Sequence, residues 1–81
     1  MERFNQDDMP ILASIRLFEG ISSGGISLVI PCMPERVKEV MLKAERAGLG
    51  EYFIQDGMWF FFFLNDDMRI YAREYCKERG V

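Results

Sequence analysis

The sequence predicts an α+β domain: a four-stranded, mostly antiparallel sheet carrying two helices on one face, in the order β-β-α-β-β-α. Three observations lead there. Residues 51–64, EYFIQDGMWFFFFL, are two apolar runs around Asp56-Gly57. Asp-Gly is the strongest short hairpin signal, because a type I′ turn needs positive φ at both central residues. Residues 34–47 and the stretch from Met68 to Cys76 repeat apolar side chains at helical spacing, while 11–18 alternate and 26–30 are rich in β-branched residues.

Taken in order, residues 1–8 are polar enough to form a short flexible arm on a single domain spanning 1–81. Ile11 to Phe18 sets Ile11, Ala13, Ile15 and Leu17 on one face, which reads as a strand. The same residues also read as a helix, with Asp8 as N-cap, Pro10 in the first turn, Ile11, Ile15 and Phe18 on one stripe, and Gly20 at the C-cap. That reading gives the alternative order α-β-α-β-β-α. Gly20 to Gly25, GISSGG, is a loop, and Ile26 to Ile30 is a strand stopped by Pro31. From Pro34 to Ala47, Val37, Val40, Met41 and Ala44 make a helical stripe, with Gly48 as C-cap and a Glu39–Lys43 pair on the surface. Asn65 or Asp66 caps a last helix whose stripe is Met68, Tyr71, Ala72, Tyr75 and Cys76, ended by Gly80.

A two-residue turn fixes the register, and side chains alternate between the faces of the hairpin. One face shows Tyr52, Ile54, Trp59, Phe61 and Phe63. The other shows Phe53, Met58, Phe60, Phe62 and Leu64 beside only Glu51 and Gln55. Both faces want burial, whereas a small antiparallel sheet ordinarily wets one of them. A helix over residues 10–19 would supply the second layer from within the chain. Otherwise Phe53, Met58, Phe60, Phe62 and Leu64 are an interface for a second copy or another protein.

Composition narrows the function classes. At 49% hydrophobic and 28% charged, with a net charge of -3 of mixed signs, the chain reads as a soluble, cytoplasmic globular domain with no bias toward nucleic acid. Its longest apolar run, Met58 to Leu64, is far too short for a membrane span. There is no histidine, which removes His-based nucleophilic catalysis and His metal ligation. Two widely spaced cysteines offer no zinc motif and fit a reducing compartment. No cofactor or metal is expected. Asp7-Asp8 and Asp66-Asp67 are explained by capping. GISSGGIS has the glycine spacing of a phosphate loop but carries Ile26 where the lysine belongs.

Two residue sets carry alternative functions. Cys32 lies between Pro31 and a helix that begins at Pro34, where backbone N–H groups favour a thiolate. The stretch Cys32-Met33-Pro34-Glu35 resembles the CPxP box of small sulfur-carrier proteins of the TusA type, with Met33 in place of the first proline of the box. The resemblance covers those few residues, and it implies thiol or sulfur-transfer chemistry at Cys32. Arg69, Arg73 and Lys77 line one flank of the last helix at i, i+4 and i+8, a row that could hold phosphates of a nucleic acid. The leading expectation is a non-enzymatic protein-interaction module acting through the aromatic face, as a homodimer or with another protein. An inhibitor or adaptor from a phage or other mobile element would have this size and this lack of catalytic groups.

Overall fold

A computed structural model describes residues 4–80. A single 3₁₀ turn, Gln6–Asp8, leads into α1 (Met9–Leu17), α2 (Ser23–Val29) and α3 (Pro34–Arg46), then the strands β1 (Gly50–Gln55) and β2 (Met58–Phe63), and finally α4 (Asp66–Glu78). The strands form a two-stranded antiparallel sheet. The class is α+β, but the four-stranded sheet with two helices is overturned: both segments expected as its first hairpin are helical. The alternative order foresaw the first helix and is wrong at the second.

The first of those segments satisfies two periods, and burial decides between them. Met9, Ile11, Leu12 and Ile15 are buried while Leu17 is exposed, which is a helical stripe and not a strand face. Pro10 in the first turn lacks the N–H that a helix start would leave unused. In α2, local chemistry overrides two glycines and a β-branched tail. The Ser22 hydroxyl accepts from the Gly25 N–H at 3.2 Å, and the Ser27 hydroxyl donates to the Gly24 carbonyl at 2.7 Å. A Cβ on Gly25 would stand 2.6 Å from the Ile21 side chain, so this glycine allows the turn to close. Ile26 is buried but Leu28 and Val29 face solvent, an arrangement that a strand inside a sheet would not leave.

The other elements form where expected, although Tyr71, placed on the buried stripe of α4, is 40% exposed. In α3, Val37, Val40, Met41 and Ala44 are fully buried, and Gly48 ends the helix at φ 80°. The Asn65 side chain accepts from the Met68 N–H at 3.0 Å and caps α4. All four helices lie on one side of the hairpin. Their stripes, with Leu49 and the inward rings Phe61 and Phe63, make one core that Ala72 and Cys76 close from α4.

Of the arm expected over residues 1–8, residues 1–3 lie outside the described residues, and residues 4–8 are held in place. Phe4 packs edge-on against Tyr75 at 5.7 Å, and the Gln6 side chain donates to the Arg79 carbonyl at 3.0 Å. Asp8 is fully buried and accepts from Arg36 at 2.8 Å, Lys43 at 2.6 Å and the Asn5 N–H at 2.8 Å. Lys43 therefore serves Asp8, and Glu39 pairs with Arg36 instead.

The hairpin approaches its own backbone closely at one point. A Cβ at Gly50 would collide with the Phe62 carbonyl oxygen and stand 2.8 Å from the Phe61 ring. Gly50→Ala is expected to cost about 1–3 kcal/mol, since backbone and a buried ring must both move. Urea denaturation checks it, and an unchanged midpoint would mean that the two strands are not paired this tightly.

Candidate functional site

The site is built by the turn. Asp56 at φ 53° and Gly57 at φ 78° make the two-residue turn that the dipeptide implied. The register follows it: Gln55 pairs with Met58, Ile54 with Trp59, Phe53 with Phe60, Tyr52 with Phe61 and Glu51 with Phe62. Alternation then separates two aromatic faces with different fates.

The inner face is used within the chain toward the base of the hairpin, while Ile54 near the turn is 57% exposed. Phe61 and Phe63 are 1% and 4% exposed and meet edge to face at 5.1 Å. Nearer the turn, Tyr52 stacks on Trp59 at 4.7 Å, with the Lys38 ammonium 5.8 Å from the indole centre.

The outer face is not used. Phe53 is 51% exposed, Met58 47%, Phe62 45% and Leu64 59%, with Phe60 half-buried between them. Phe53 and Phe62 touch edge-on at 5.9 Å, and a shallow apolar concavity of about 590 Å³ is lined by Phe53, Ile54, Gln55, Phe60, Phe62 and Gly20. The register sets Phe53, Met58, Phe60 and Phe62 on this face, of which Phe53, Phe60 and Phe62 share the concavity, while Leu64 lies just past the end of β2. No described helix crosses the face, because α1, the element that might have closed it, is spent on the core beneath the opposite face.

The base of the hairpin is clamped by a residue with no signature in the sequence. Glu19, between α1 and α2, accepts from the Phe63 N–H at 2.9 Å and from Arg69 at 2.6 and 3.0 Å. The Arg69 guanidinium, helped by that N–H, holds the Glu19 carboxyl below its usual range despite partial burial. Arg69 also binds Asp66 at 2.6 Å. Of the basic row on α4, then, Arg69 is neutralised by two carboxylates. Arg73 is within 3.5 Å of Glu74, and Lys77 is exposed.

Cys32 sits in the loop before α3, half-buried against the core, and its N–H reaches the Ser27 carbonyl at 3.5 Å. Cys76 is buried on α4 with its Sγ 3.7 Å from the Met9 carbonyl, and burial pushes its thiol pKa up. Both cysteines are free thiols. Among the described residues, no group of three or more acidic or cysteine side chains is gathered for a metal. The Gly-Ser stretch expected as a loop supplies the N-cap and first turn of α2. No described helix is long and apolar enough to cross a membrane. Compared with models of known protein families, with curated proteins and with solved structures, the chain matches none.

Proposed function

We propose that the chain is a protein-interaction module, of the kind an inhibitor or adaptor requires, which binds through the outer face of its β1–β2 hairpin. The observation that carries this reading is the contrast between two faces of one hairpin. A small domain gains stability from every ring it buries, at roughly 25 cal/mol per Å², yet two phenylalanines, a methionine and a leucine stand exposed here beside a half-buried Phe60. Contiguous apolar surface of this kind marks interfaces.

Neither alternative gains comparable support. Cys32 packs against the apolar core, and Arg69 is already paired on both sides.

Site-directed photocrosslinking in the source cell tests the reading. With p-benzoylphenylalanine at position 53 or 62, a discrete crosslinked product is expected. The same probe at Leu28 should give none. Equal products at all three positions, or none at 53 and 62, would remove the face as a binding site.

A further inference from the structure

We infer that the occupant of the outer face is a second copy of this chain, packed hairpin on hairpin with the strands antiparallel. The inference rests on reading that face as an interface, and two observations select the partner.

The first is area. Phe53, Met58 and Phe62 are each about half exposed, so each offers on the order of 100 Å², and Phe60 adds less. Two copies face to face would bury about 700 Å² from these side chains alone. Glu51 and Gln55 at the margins bring the total to roughly the 1,000 Å² that a specific interface needs.

The second is that the face complements itself in one orientation. Its rows, from base to turn, are Glu51 beside Phe62, Phe53 beside Phe60, and Gln55 beside Met58. A two-fold axis lying between the sheets and across the strands sets Phe53 on the partner's Phe53 and Phe60 on the partner's Phe60. The same axis places Glu51 over the partner's Gln55, so a carboxylate meets an amide donor, and Met58 over the partner's Phe62, a thioether against a ring. A two-fold axis along the strands would instead bury Glu51 against the partner's Phe62 with nothing to receive its charge. Closed two-fold pairing also leaves no sticky face behind, unlike a head-to-tail contact.

Sedimentation equilibrium of the full chain, from micromolar to submillimolar concentration, tests the inference. The parent is expected at dimer mass. Phe53→Ser with Phe62→Ser should give a monomer with an unchanged far-ultraviolet circular dichroism spectrum. Gln55→Glu, on the exposed margin, should raise the dimer dissociation constant about tenfold by facing the partner's Glu51, and adding Glu51→Lys should restore it. A parent that stays monomeric overturns the second copy. If position 53 nevertheless crosslinks to a different protein, the interface reading survives that result. A dimer that persists without Phe53 and Phe62, or a Gln55→Glu defect that Glu51→Lys leaves uncorrected, also overturns it.

Discussion

In solutions dilute enough to keep the chain monomeric, Phe61→Ala should lower the unfolding free energy by about 3–5 kcal/mol, while Phe62→Ala, one residue away, should change it by less than about 1 kcal/mol. Phe61 is 1% exposed, in edge contact with Phe63 and surrounded by the stripes of the helices. Its truncation leaves a cavity that a domain of this size has few ways to collapse. Phe62 is 45% exposed and gives up only part of its burial. For a domain of about 80 residues, each kcal/mol moves the melting temperature by about 4–8 °C, so Phe61→Ala should melt tens of degrees lower or not fold at all. Thermal unfolding of the two variants side by side is a direct reading of the register. A one-residue slip would exchange their phenotypes, and similar losses in both would mean that the outer face is also core.

The hairpin was legible because its determinants are local. Asp56-Gly57 specifies a turn, the turn specifies the pairing, and the pairing separates Phe53, Met58, Phe60, Phe62 and Leu64 from Phe61 and Phe63 with no knowledge of the rest of the chain. The helices α3 and α4 were legible for a similar reason, having one strong period each, with Pro34 and Gly48 bounding α3 and Asn65 capping α4. The N-terminal third was not. Ile11 to Phe18 satisfies two periods at once, and only the packing of Ile11, Leu12 and Ile15 against α3 and α4 selects the helix. In α2 the isoleucines and the valine favour a strand and the glycines oppose a helix, but the Ser22 cap and the burial of Ile26 outweigh both. The carboxylates that tie these helices down were invisible for a different reason. Glu19 finds Arg69, and Asp8 finds Arg36 and Lys43, across the fold, where no spacing rule reaches.

Asp8→Ala is expected to cost about 3 kcal/mol at neutral pH and to flatten the acid side of the stability profile. The carboxyl is fully buried, and burial by itself would raise its pKa. The hydrogen bonds from Lys43 and Arg36, together with the Asn5 N–H, outweigh that and hold it below its ordinary value of 3.8. Removing one member of such a group leaves charges without partners, for which losses of about 3–5 kcal/mol are usual. The lower end applies here, because Lys43 and Arg36 keep 19% and 33% of their side-chain surface in water. The pH dependence follows from the sign of the shift. A carboxyl whose folded pKa lies below its unfolded one contributes fully above the unfolded value, and the contribution disappears as pH falls through the folded value. Glu19 acts in the same direction, from an ordinary value of 4.5. The parent should therefore hold a constant urea midpoint down to about pH 5 and lose stability progressively below it. Asp8→Asn should start lower and lose less over that interval, the remaining slope belonging to Glu19 and the exposed carboxylates. Urea midpoints of parent and variant at pH 7 and pH 3 decide the matter. Parallel profiles would show that the Asp8 carboxylate is not what fastens the start of α1 to α3.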